Sequence, residues 1–181
     1  MGVVVVVLIA AGAGFWVWHE QPSFCAAICH TPMDEYLETY EQEAGTAGVD
    51  KWGNEVANTN AMLAVSHKAQ GKDCMACHVP TLSEQMSEGM NWVTGNYVYP
   101  LEERDTEMLT EARGVDADEF CLNESCHNLT RDDLIKPRAT WSSTASAQHG
   151  EIECSECHKA HRASVMYCTQ CHSEAEVPEA G

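Results

Sequence analysis

Cys154–His172 reads CSECHKAHRASVMYCTQCH. The stretch holds two Cys-x-x-Cys-His units, Cys154/Cys157/His158 and Cys168/Cys171/His172, with His161 between them. Cys-x-x-Cys-His is the attachment signature of c-type haem. Both thiols add to the vinyl groups along one porphyrin edge, and the adjoining histidine reaches the iron as an axial ligand. Positions i and i+3 of a helix sit about 60° apart around its axis, so the two sulfurs face that edge together.

Three further units precede this pair. Cys74/Cys77/His78 has the same spacing, Cys25/Cys29/His30 has three intervening residues and Cys121/Cys126/His127 has four. An i, i+4 pair still shares a helical face. An i, i+5 pair lies about 140° apart and needs a local bulge to bring its sulfurs together. Cysteine arithmetic supports both irregular units: all ten cysteines fall into five pairs, and histidine follows the second member of each.

A disulfide framework or zinc sites would also use paired cysteines. Neither requires histidine directly after the second one. With nine histidines in 181 residues, five chance placements have odds of roughly three in ten million. The expected cofactor load is therefore five covalently attached haem c groups.

Five haems after residue 20 leave about thirty residues for each, too few to build an ordinary core around every macrocycle. Aromatic content of 7% and a mean hydropathy of −0.31 suit a chain that borrows apolar mass from its cofactors. The expected fold is mainly α with much irregular structure, little or no sheet, and a multihaem cytochrome c architecture organised around the haems. A formal charge of −18 excludes nucleic acid as a partner, because phosphate binding needs a basic surface. It suits either plain solubility or steering toward a partner with a basic docking patch.

Residues 3–18, VVVVVLIAAGAGFWVW, form an uninterrupted apolar run. As a helix it spans about 24 Å, close to a bilayer core, with Trp16 and Trp18 where an interfacial belt belongs. Ala10 and Gly14 have the small-xxx-small spacing that permits helix association with another membrane subunit or a second copy. Ala11-Gly12-Ala13 also resembles a signal-peptide cleavage site. We read residues 1–19 as a single N-terminal transmembrane anchor and 20–181 as an extracytoplasmic pentahaem domain on the outer face of the cytoplasmic membrane.

Along that domain, Thr31-Pro32-Met33-Asp34 predicts an N-cap followed by an N1 proline. Residues 41–53 read as loop, 54–70 as helical, and 101–113 as a further helix closed off upstream by Pro100. Leu82, Met86, Met90 and Val93 recur at helical spacing, with Trp92, Tyr97 and Tyr99 beside them. That stripe predicts packing, against haem or at a membrane interface. Residues 131–148 read as a polar connector.

Five six-coordinate irons need ten axial ligands. His30, His78, His127, His158 and His172 supply five. His67, His149 and His161 lie on haem-bearing segments and are the expected distal ligands, with His19 a weaker candidate and Met33 a further one. His161 follows His158 by only three residues, so it cannot easily reach the far face of the same haem. A neighbouring haem is the better assignment.

The segments CHTPM (29–33), SHKAQGKDCMACHVP (66–80) and HGEIECSECHKAH (149–161) resemble the membrane-anchored quinol-dehydrogenase cytochromes of the NapC/NirT/NrfH type. The close haem spacing is also similar to the class III multihaem cytochromes. The likeness covers the anchor and most attachment units, although the best-known members carry four haems. It implies electron transfer from the menaquinol pool to an extracytoplasmic terminal reductase in anaerobic respiration, and Met33 as a ligand of the first haem. An acidic group and a lysine near that haem are also implied, for which Asp34, Glu35, Lys68 and Lys72 are candidates.

Two other functions remain open at this level. The chain would serve as a relay if a separate membrane subunit oxidised quinol. A nitrite-type multihaem reductase would need an iron with an open position, and the Cys-x-x-Cys-Lys unit of the pentahaem nitrite reductases does not occur here.

Overall fold

The computed structural model describes residues 2–28, 30–99, 106–135 and 152–174. The chain divides into two compact units, one formed by Met1–Glu102 with Ala160–Ala163, the other by Glu103–Lys159 with Ser164–Gly181.

The first unit opens with α1 (Gly2–His19). It is one residue longer at each end than the apolar run, and none of its residues is buried. A helix of this length and composition can cross a membrane or serve as a signal sequence. A short break leads into α2 (Pro22–Ile28) and α3 (His30–Glu41). Thr31 does not act as the N-cap that the sequence suggested, because α3 already begins at His30. Pro32 is still tolerated, since first-turn amides need no intrahelical acceptor.

Residues 41–53 contain a strand as well as loop. β1 (Gly48–Val49) pairs antiparallel with β2 (Glu55–Val56), Gly48 facing Val56 and Val49 facing Glu55. The Asp50 carboxylate closes the turn by accepting from the Trp52 and Asn54 amides, both at 2.9 Å. Gln42 brackets β1, accepting from Val49 N–H at 2.8 Å and donating to its carbonyl at 2.7 Å. A side chain at Gly48 would overlap that amide.

Helix begins later in 54–70 than the pattern implied. A 3-10 turn at Thr59–Ala61 and α4 (Leu63–Lys68) carry it. Asn58 caps the turn by accepting from Asn60 N–H at 2.9 Å, and such a side chain competes with helix upstream of itself. Met62 and Val65 join Val56 in a small core against Ala61 and Ala163. Burial of each larger side chain contributes about 1.5–3 kcal/mol.

After the one-turn α5 (Cys74–Cys77), α6 (Leu82–Thr94) starts at a capping box between Thr81 and Glu84 and ends at left-handed Gly95. Its Leu82, Met86, Met90 and Val93 are all exposed. The helix predicted there forms, with its apolar stripe open.

In the second unit, α7 (Thr106–Thr110) runs into a 3-10 turn at Glu111–Arg113. The predicted helix over 101–113 is thus split in two where described, and Pro100 and residues 101–105 lie outside the described residues. Left-handed Gly114 reverses the chain into α8 (Ala117–Cys121), which Asp116 caps. The connector begins as a short helix, α9 (Arg131–Ile135), and its remainder lies outside the described residues. α10 (Cys154–Cys157) and a 3-10 turn at Tyr167–Gln170 complete the unit. Among the described residues the buried apolar side chains are few: Val56, Met62, Val65 and Ala117.

Candidate functional site: the haem-attachment loops

Four attachment units share one backbone closure. In the three regular ones the histidine amide donates to the carbonyl of the first cysteine: His78 to Cys74 at 2.8 Å, His158 to Cys154 at 2.9 Å and His172 to Cys168 at 2.8 Å. A single helical turn makes this bond as an i→i+4 contact. Asp73 caps the first of these turns, accepting from Ala76 N–H at 3.1 Å.

Cys171 departs from the α-helical face that its spacing predicts. In the other two regular units both cysteines lie within one helical turn, α5 or α10. Here the turn is 3-10 and starts early, at Tyr167, so it is finished at Gln170. Cys171 follows as its C-cap, with its amide on the Cys168 carbonyl at 3.2 Å and its side chain exposed. Positions i and i+3 eclipse in a continued 3-10 helix, but the backbone leaves that path at Cys171. The Cys171 backbone therefore lies just past the helical turn, although the histidine closure is kept.

The irregular Cys121/Cys126 unit reaches the same closure by another route. α8 ends at Cys121, the four intervening residues loop out, and His127 N–H returns to the Cys121 carbonyl at 3.2 Å. Asn123 shapes that loop. Its side chain accepts from Ser125 N–H at 2.9 Å and donates to the Phe120 carbonyl at 2.9 Å. Its own carbonyl takes the Cys126 amide at 3.1 Å. Cys126, like Cys171, is exposed. In the remaining unit Cys25 lies on α2 and His30 opens α3, while Cys29 lies outside the described residues.

The units also approach one another within each compact body. The Cys121 and Cys154 thiols are neighbours, and their interaction lowers the Cys121 thiol below its usual range and raises Cys154 well above it. A strap fixes the approach. Arg131 pairs with Asp118 on α8 and donates to the Ile152 carbonyl at 2.8 Å. Asp118 in turn accepts from Cys154 N–H at 3.2 Å. Burial alone would raise the Asp118 carboxyl, but the bonds from Cys154 and Arg131 outweigh it and hold the group low. In the first unit, burial and then the neighbouring Cys74 raise the Cys25 thiol.

His161 sits with His78, not with the histidine three residues before it. The two rings have centroids 6.5 Å apart and planes inclined by 32°. Two imidazoles ligating one metal ion from opposite sides, each nitrogen about 2 Å from it, hold their centroids about 6 Å apart. The Tyr36 ring stands edge-on to His161 at 5.0 Å, and the His161 carbonyl accepts from Lys51 N–H at 3.0 Å. Burial, then His78 and the Lys51 ammonium, push the imidazole down to about 3. His161 is therefore neutral at physiological pH, the state an iron ligand requires.

His67 lies partly buried on α4, and Met33 partly buried on α3. His149 lies outside the described residues. His19 ends α1 with its ring 4.8 Å from that of Phe24.

Haem fits this donor set. Each described cysteine is a free thiol, and the histidines of the four closed units are exposed rather than sequestered in a core. Arg113 adds a second kind of evidence, which no sequence motif signalled. Its Nε and Nη2 are buried without a hydrogen-bond acceptor, while its guanidinium rests 5.2 Å from the ring centroid of Phe120, next to Cys121. Those two N–H groups form one edge of the guanidinium fork, the edge that takes a carboxylate side-on. Haem c carries two propionate carboxylates.

Residues 66–173 match the cytochrome c3 family profile. The chain is also 93% identical over 180 residues to the cytochrome c-type protein Cgr1 of Eggerthella lenta, covering 99% of this chain and 83% of that protein. No solved structure matches.

Proposed function

The chain belongs to the cytochrome c3 family, and from that premise we propose that it is a membrane-anchored pentahaem member carrying electrons from menaquinol to an extracytoplasmic reductase. It is a cytochrome c-type electron-transfer protein with covalently bound haem c; the five-haem load, the donor and the acceptor are our reading. The spacing of anchor and first attachment unit carries it. α1 ends at His19 and α2, which bears Cys25, begins at Pro22. The first haem would therefore lie beside the membrane surface, where quinol is available.

The haem iron supplies one-electron exchange when bound. The chain's own residues then have separate tasks. Five cysteine pairs hold the macrocycles irreversibly, and the backbone closure behind His78, His127, His158 and His172 orients their imidazoles. His78 and His161 would both hold the haem iron of the Cys74/Cys77 unit. Arg113 would neutralise a propionate in the second unit. Met33 on α3 would serve the first haem, in which a thioether ligand raises the potential above that of bis-histidine haems. The scarcity of buried apolar side chains supports macrocycles as the main apolar mass of both units.

A test follows directly. Full-length protein in vesicles is mixed with a menaquinol analogue and its haem absorbance is followed. Quinol-driven reduction supports the proposal; complete reduction by dithionite with none by quinol sinks direct quinol oxidation. One observation favours a relay reading as the second choice. Gly14 of α1 has open space where a side chain would be, and with Ala10 one turn before it forms a small-residue face that admits close approach by another membrane helix.

A further inference from the structure

Thr39 belongs to no motif, yet it is completely buried and touches a candidate iron ligand. It lies on α3, 122 residues from His161 in sequence, with its Oγ1 2.6 Å from His161 Nδ1. The same hydroxyl donates to the Tyr36 carbonyl at 2.9 Å. A threonine hydroxyl has one proton and two lone pairs. With the proton committed to Tyr36, Oγ1 can only accept from His161. Nδ1 must then carry the ring proton, and the Nε2 lone pair is left free. The opposite tautomer would make one hydroxyl proton serve two acceptors in a site closed to water.

We infer that Thr39 is the positioning residue that fixes His161 as an Nε2 ligand facing His78, and that it tunes the potential of the haem they share. This rests on the reading that the Cys74/Cys77 unit carries haem. A hydrogen bond drawn from Nδ1–H makes a ligating imidazole more basic and favours the oxidised metal. Its loss shifts the potential upward. Threonine also bonds its i−3 carbonyl in ordinary helices as a matter of local packing, and the following comparison separates that role from positioning.

The holoprotein is prepared with Thr39→Val, which keeps the shape, and Thr39→Ser, which keeps the hydroxyl. Peptide mass analysis first asks whether haem is present on Cys74 and Cys77. Its absence in the wild type overturns the haem reading itself. With haem present, Val should raise the midpoint potential of one haem and alter one low-spin EPR signal, and Ser should restore both toward wild type. Unchanged potentials and spectra in Val overturn the inference, as does a Ser variant that behaves like Val, which would assign Thr39 to packing of its methyl group. If Val fails to assemble, the wild type still decides. Its axial imidazole Nδ1 proton, read by proton ENDOR after transfer to D2O, should exchange slowly on one haem because Thr39 covers it. Rapid exchange at every haem overturns the inference.

Discussion

The amide of His127 donates to the carbonyl of Cys121 at 3.2 Å, although four residues separate Cys121 from Cys126. The loop shaped by Asn123 absorbs the extra length, so the histidine leaves the loop against the same carbonyl as in the regular units. The irregular spacing is a variation in the loop that keeps the histidine closure. Mass analysis of the mature protein should therefore show five haems. Replacing Cys121 and Cys126 together by serine should lower the count to four. A count of four in the unaltered protein would remove this unit from the set.

Asp118 should make the second unit acid-sensitive. Its folded-state carboxyl is held below its ordinary value, so its contribution is present above the ordinary carboxylate range, about pH 4, and is lost as pH falls through the lowered value. Asp118→Asn weakens the contacts to Arg131 and Cys154 and should cost about 1–3 kcal/mol at neutral pH. Thermal melts of both proteins should differ at pH 7 and converge in acid. A gap that persists unchanged in acid would contradict the assignment.

Arg113 should influence one haem through charge. Arg113→Gln removes a cation, which favours the oxidised haem and should lower one midpoint potential. Arg113→Lys keeps the charge but loses the side-on fork, and should fall between the two. Potentiometric titration reads both. Five unchanged potentials in Arg113→Gln would exclude a propionate partner.

Met33 and α1 are tested together at the membrane. The protein should leave membranes only with detergent and retain residues before Gly14. A soluble chain beginning at Gly14 would overturn the anchor. In the membrane-bound form, Met33→Leu should shift one haem's potential or spin state and slow reduction by a menaquinol analogue, while dithionite still reduces the protein fully. If quinol-driven reduction and spectrum are both unchanged, Met33 only packs.

Loading of His67 and His149 onto iron gives a further readout. Replacing either with alanine should convert one low-spin haem to high spin without loss of covalent attachment. Unchanged spectra in both variants would remove them from the ligand set.

Local chemistry was the legible part. Cys-x-x-Cys-His writes its closure into adjacent residues, so the attachment loops and α1 could be read directly. The spacing did not distinguish Cys171 from Cys77 and Cys157, because an early 3-10 start at Tyr167 leaves no mark on it. The short reach from His158 to His161 pointed His161 toward a different partner, and only the fold shows its ring beside that of His78. Thr39 and Arg113 act through contacts with no sequence period. The boundaries failed for a similar reason. Asn58 diverts the backbone into a 3-10 turn, and α3 takes its first residue from the attachment unit itself, neither of which a hydrophobic pattern records.

The Cys121 and Cys154 thiols are neighbours, yet on the five-haem reading each serves a different haem. Before assembly this is a hazard of timing. In any compartment that oxidises thiols, two such neighbours can surrender two electrons and two protons and close a disulfide. That single cross-link would forfeit one attachment bond at each of two haems. Thioether formation consumes the same thiols irreversibly, so the two fates compete for them. In such a compartment the chain must therefore meet haem before it meets an oxidant, or be returned to the dithiol by a reductant first.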